Sequence, residues 1–185
     1  MEGGATDKEA DAVLVTESGV AAVDGDPTDA AAAVGVTYRF DAETWLDRWG
    51  ADCEHAVVVS AGERSRGAAV VSGSESASNA TSGPAVDPIE VEAGVVAAVP
   101  SASDVGAVGA AVHEYLEEWR ACEPTVYVDS LTEVVEAADA EVAFRFVHAL
   151  VARAREADAR VVAAAGDGLP RHVEETFAPL FDATV

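Results

Sequence analysis

Short, wholly apolar runs alternate with longer segments of helical period, and this alternation restricts the chain to very few architectures. From residue 95 onward the strand-like runs are Val95–Val99, Thr125–Val128 and Arg160–Ala165, with Phe181–Val185 as a short last one. Upstream, Val13-Leu14-Val15, Val34–Phe40 and His55–Ser60 read the same way. Runs such as Ala56-Val57-Val58-Val59 have no polar alternation, so both of their faces must be covered. Strands of this kind separated by helices pair in parallel through crossovers that place helices over the sheet. The expected fold is therefore α/β, in three layers (α/β/α), with a mostly parallel sheet and helices on both faces.

Helix boundaries are marked locally. Asp41 stands at a cap position, Phe40 and Trp45 have the spacing of a hydrophobic staple, and Gly50 ends the helix that carries Trp45, Leu46 and Trp49. Pro100-Ser101-Ala102-Ser103-Asp104 opens another, with Ser101 and Asp104 at capping-box spacing. Its apolar stripe is Val105, Val108, Val112, Tyr115, Leu116 and Trp119. A long helix is expected from about residue 140 to 157, with Ala143, Phe146, Val147, Leu150 and Ala154 inward, and Leu169-Pro170 opens a last one. Residues 24–33 join a turn signal, Asp24-Gly25-Asp26-Pro27, to an alanine run that reads as a short helix. Residues 1–10 are acidic and polar, and the composition predicts a disordered tail. The remaining residues, 11–185, form one domain, with a flexible Ser/Gly-rich insertion at about 73–88.

Charge sets the solvent and the partners. The chain holds 34 Asp and Glu against 11 Lys and Arg, a net of −23, and its one lysine is Lys8. In molar salt the Debye length falls to about 3 Å, so such a surface stops repelling itself while staying hydrated; in dilute buffer the same charges oppose compaction. The expectation is a halophilic, archaeal source. With no basic run, direct nucleic-acid binding through phosphates is not expected. No apolar stretch is long enough to cross a membrane and the start has no signal-peptide core, so the expected location is cytoplasmic. Cys53 and Cys122 are single, and His55, His113, His148 and His172 show no ligand spacing, so no metal site is expected.

The most informative stretch is Thr125-Val126-Tyr127-Val128-Asp129-Ser130-Leu131-Thr132. It is a buried strand ending in a carboxylate that two hydroxyls follow. In RecA-type ATPases such a carboxylate orients a metal-bound water while hydroxyls sense the phosphates. Further segments stand in a consistent order around it: Trp45-Leu46-Asp47-Arg48-Trp49, Val99–Gly106 leading into Tyr115–Glu118, Ala143–His148, and Leu180-Phe181-Asp182. Over residues 34–185 the chain resembles the RecA/KaiC-like superfamily, and within it an uncharacterised haloarchaeal family. The resemblance implies a RecA-like sheet.

The phosphate loop of that superfamily is missing. No G-x-x-x-x-G-K-[ST] occurs, and the positional stand-in after the first strand is Thr16-Glu17-Ser18-Gly19, whose carboxylate repels phosphate. Ordinary ATP hydrolysis is therefore not expected, and neither a catalytic residue nor a cofactor is assigned. A vestigial nucleotide crevice would draw on Asp129, Ser130, Thr132, Arg64 and Arg66; the alternative roles are helix capping for Asp129 and surface ion pairing for the arginines. The expected function is a non-catalytic regulatory or protein-interaction module, in signalling or transcriptional control. Its expected partner is another protein, within a homo-oligomer or a RecA-like hetero-oligomer. Two alternatives stand beside it: a nucleotide-binding protein with a modified phosphate site, and a subunit that completes an ATPase site in an oligomer.

Overall fold

A computed structural model describes residues 11–16, 31–38, 42–50, 53–62 and 88–185. The strands are β1 (Ala12–Val15), β2 (Ala32–Thr37), β3 (His55–Ala61), β4 (Pro88–Val91), β5 (Gly94–Val99), β6 (Thr125–Asp129), β7 (Arg160–Ala164) and β8 (Ala183–Thr184). They form one sheet in the order β4-β5-β3-β2-β6-β7-β1-β8. Every pairing is parallel except β4 with β5. The helices are α1 (Ala42–Trp49), α2 (Val105–Glu118), α3 (Leu131–Ala138), α4 (Ala140–Glu156) and α5 (Arg171–Phe177).

The valine-rich strands sort their side chains by alternation. Leu14, Val34, Val36, Val57, Val59, Val126, Val128 and Val161 face one core, which α2, α3, α4 and α5 cover. Val13, Val15, Ala33, Val58, Tyr127 and Val162 face the other, where α1 delivers Trp45 and Leu46. The sheet is thus the middle layer of an α/β fold with helices on both faces. On the α1 side Trp45 is almost wholly buried, and its ring lies 6.2 Å from that of Tyr127. Gly35 makes this possible: a Cβ there would stand 2.6 Å from the indole.

Some boundaries differ from those the sequence implied. β2 begins at Ala32, so the end of the expected 24–33 helix is strand, because Ala32 and Ala33 pair with His55 and Ala56 of β3. The helix opened by Pro100 is capped by Asp104, not Ser101. The Asp104 carboxylate accepts from Ala107 N at 2.9 Å, while the Ser101 hydroxyl pairs with that of Ser103. Residues 100–103 form a turn instead, closed by Asp104 N donating to Ser101 O. The long helix is preceded by a separate one, α3, because Asp139 breaks the run with φ +64 and caps α4 by accepting from Glu141 N and Val142 N. Hairpin partner β4 has no continuous apolar run and sits at the sheet edge, where Pro88 is tolerated. Asp41, the tail 1–10, and most of the insertion at 73–88 lie outside the described residues. No helix among the described residues is long and apolar enough to cross a membrane.

Two glycine substitutions separate packing from helix propensity. Gly35→Ala drives a methyl into Trp45 and is expected to destabilise by about 1–3 kcal/mol, as overpacked cores do. Gly109→Ala in α2 places its methyl 3.6 Å from Phe146, an ordinary contact, and is expected to stabilise by about 0.5–1 kcal/mol. Urea midpoints in molar KCl measure both, and a stabilised Gly35→Ala would contradict the packing described.

Candidate functional site

Three neighbouring strands pass from valine to a polar residue at their carboxyl ends: Val36-Thr37, Val59-Ser60 and Val128-Asp129. The parallel register sets Thr37 beside Ser60 on one side and beside Asp129 on the other. By alternation all three share the α1 face with Ala33, Ala56 and Tyr127. They are buried: Thr37 fully, Ser60 at 2% exposure and Asp129 at 8%. Thr37 and Asp129 each make interactions within the chain.

This row lies where the sheet changes direction. After β2 the chain moves outward to β3 and β5; after β6 it moves the opposite way, to β7. A crevice forms outside the carboxyl ends of two strands that diverge in this way, and ligands of open α/β sheets bind there. Asp129 therefore stands at the switch point. Asp129 was legible from the sequence and Ser60 only as a nearby strand end; Thr37 was not singled out. A hydroxyl directly after a run of valines was the signal.

The two hydroxyls that follow Asp129 are held inside the fold. The Asp129–Ser130 peptide is cis, and Ser130 is fully buried at the start of α3 in extended conformation. The Ser130 hydroxyl donates to the Glu133 carboxylate in a short hydrogen bond. Thr132 donates twice to the carbonyl of Ala165, through its backbone N–H at 3.0 Å and its hydroxyl at 2.8 Å. Gly166 closes over both side chains with φ +81; a Cβ there would lie 2.3 Å from Ser130 Oγ and 3.1 Å from Thr132 Oγ1. The two Thr132 bonds join the start of α3 to the end of β7, while the Ser130 bond stays within α3. Ser130 and Glu133 have the Ser-x-x-Glu spacing of a capping box, a sequence mark of α3.

Tyr38 adds a feature on the opposite face. Its N–H donates to the Asp129 carbonyl at 3.4 Å, and its side chain packs with Val36 in the larger core. Its hydroxyl is buried and has no hydrogen-bond partner among the described residues. Burial pushes the phenol above its ordinary range, and the Asp104 carboxylate pushes it further.

Of the residues proposed for a nucleotide crevice, Asp129, Ser130 and Thr132 come together at one strand end. Arg64 and Arg66 lie outside the described residues, as do Glu17, Ser18 and Gly19. Thr16 is tied to the carboxyl terminus, with its N–H and hydroxyl both donating to Val185 O, at 2.7 and 3.1 Å. Among the described residues no group of three or more His, Cys, Asp and Glu is placed to hold a metal ion. Trp45 and Trp119 are core residues, while Trp49 is half-buried with the Arg48 guanidinium 4.8 Å from its ring.

Residues 12–185 match the model of a family of unknown function, DUF7504. No curated protein matches the chain.

Two substitutions test this junction. Thr132→Val removes the hydroxyl bond to Ala165 and is expected to cost about 1–2 kcal/mol. Tyr38→Phe removes an unpartnered buried hydroxyl and is expected to leave stability unchanged or raise it by up to about 1 kcal/mol. The pH dependence has a definite sign. Because the folded phenol titrates higher than the unfolded one, its contribution is intact below about pH 10 and is lost as pH rises beyond that. Urea midpoints at alkaline pH are therefore expected to fall less steeply in Tyr38→Phe than in the parent chain.

Proposed function

We propose that this chain, which belongs to the DUF7504 family, is a non-catalytic RecA/KaiC-like module that acts by binding another protein. The observation that carries the reading is the commitment of Ser130 and Thr132 to bonds within the fold. Hydroxyls that sense phosphates must face an open crevice, whereas Ser130 bonds Glu133 within α3 and Thr132 fastens α3 to the end of β7. The sequence adds the second support. Its one lysine is Lys8, which precedes β1 in sequence, so no lysine follows β1 where a phosphate loop would carry one. Resemblance to KaiC-like regulators supports signalling or transcriptional control as the setting. The charge of −23 with a single lysine supports a halophilic archaeal cytoplasm.

A second reading rests on one observation, the polar row Thr37, Ser60 and Asp129 at the switch point. A nucleotide-binding protein with a modified phosphate site would use it. Calorimetric titration of the full chain with Mg-ATP in molar KCl separates the two. The expected result is no binding tighter than about 1 mM. Tighter binding that Asp129→Ala abolishes would transfer the assignment to the second reading. Affinity capture from a native high-salt lysate is expected to bring down a partner protein; a partner that carries a lysine-bearing phosphate loop would identify the chain as a subunit completing an ATPase. Salt adaptation is tested separately: the thermal midpoint is expected to rise steeply between about 0.1 and 3 M KCl, as the Debye length shrinks from about 10 to 3 Å.

A further inference from the structure

The side of the molecule formed by α2 and α4 carries an open groove of about 490 Å³. Its accessible lining is apolar, with the half-buried Val105, Ala110 and Val142 over the buried Leu116, Phe146 and Leu150. Two glycines, Gly106 and Gly109, stand on the α2 edge and add no side chain to the groove, Gly109 directly against the Phe146 ring. Neither glycine is needed for the fold. A Cβ on Gly109 would sit 3.6 Å from Phe146, and one on Gly106 would meet only the Asp104 carboxylate at 3.4 Å. Both are ordinary contacts, and neither glycine has the positive φ that excludes other residues. Glycine inside a helix is unfavourable relative to alanine, so the fold forgoes stability along this edge.

The rim is as unusual as the floor. Asp and Glu make up 34 of 185 residues, yet none lines this groove, while Arg145, Arg153 and His113 do. Helix α4 is a basic element in an acidic chain, with Arg145, Arg153 and Arg155 against Glu141 and Glu156. Arg155 is held by Asp182 at 2.8 Å. Arg145 reaches Glu141 only at 3.6 Å, with both side chains mostly exposed, and Arg153 forms no ion pair among the described residues. Two guanidinium groups are thus available on the same edge. They are eight residues apart, about 12 Å along a helix at 1.5 Å per residue, with the small, exposed Ala149 between them.

We propose that the α2–α4 groove docks an acidic amphipathic helix of a partner protein. Small apolar side chains of that helix rest on Val105, Ala110 and Val142, beside Gly109. Two of its carboxylates, about two turns apart, meet Arg145 and Arg153 through forked, contact-distance hydrogen bonds. Such bonds survive in salt that screens longer-range attraction, so the floor supplies affinity and the arginines select the partner. This rests on the partner-binding reading above and deepens it by naming the surface and the partner's chemistry.

The test uses two fluorescein-labelled peptides of about 18 residues, long enough to hold several helical turns. Both carry the same Leu/Ala stripe; one has Glu at two positions eight apart, the other Lys. Anisotropy is read against the full chain in molar KCl. The Glu peptide is expected to bind and the Lys peptide not. Arg145→Glu combined with Arg153→Glu should weaken the Glu peptide at least about ten-fold and rescue the Lys peptide. Gly109→Trp, which fills the groove, should abolish binding while circular dichroism shows an unchanged melt. No binding of the Glu peptide at about 100 µM, or equal binding of both peptides, overturns the proposal. So does concentration-dependent self-association in sedimentation that the arginine variant abolishes, since the occupant is then a second copy. The variants are also used as bait in the lysate capture. If the parent chain and both variants retain the same partner, the groove is overturned and the partner-binding reading stands. If the parent chain captures nothing, it is that reading which fails.

Discussion

Parallel strands cannot be joined by tight turns, so each connection must leave the sheet, cross one face and return. The rest of the molecule follows from where those crossings go. β2 and β6 are hydrogen-bonded neighbours, but the strands after them depart in opposite directions. No single crossover covers the carboxyl ends of both. An opening therefore lies beyond the carboxyl ends of these two paired strands, and the polar residues of β2, β3 and β6, Thr37, Ser60 and Asp129, collect at that end of the sheet. The valines behind them, buried on both faces, hold the row in register.

What the opening does depends on the turn that follows β6. In a nucleotide site, the groups after the strand-end carboxylate would stay available to a ligand. Here Thr132 reaches 33 residues along the chain to the Ala165 carbonyl, Ser130 turns to Glu133, and Gly166 admits no side chain between them. The strand end carries a carboxylate at Asp129, while the two hydroxyls that follow it are bonded within the fold.

Much of this architecture was legible. The valine runs marked β1, β3, β5, β6 and β7 because strands buried on both faces leave a continuous apolar signature. β4 left none: Pro88–Val91 is a half-exposed edge strand, identifiable only by its pairing with β5. α3 was missed although Ser130 and Glu133 carry capping-box spacing, and the break between α3 and α4 was hidden because nothing local announces the positive φ of Asp139. At the site, Asp129, Ser130 and Thr132 could be placed by their position after a strand. Their bonds could not, since the Thr132–Ala165 contact depends on how α4 returns the chain to β7. Tyr38 was hidden for the same reason: it belongs to the larger core, and that core is a property of the whole sheet face.

Glycine shows how differently one residue type can be required. Gly35 and Gly166 are imposed by packing, with an indole or a serine standing where a methyl would go. Gly106 and Gly109 are imposed by nothing nearby, since ordinary contacts would accommodate alanine at both. An unfavourable residue that the fold does not need has its explanation outside the fold, in what must approach that surface. Beside these glycines the chain also departs from its own charge, with two arginines and no acid among the residues that line the groove in a molecule of −23. A surface adapted only to remain hydrated in salt would carry carboxylates there as it does elsewhere. Loss of helix propensity and reversal of charge are independent departures, and they coincide on one groove. That coincidence argues for an apolar partner bearing carboxylates at this surface, and it sets the α2–α4 side apart from the strand-end crevice, whose hydroxyls face inward.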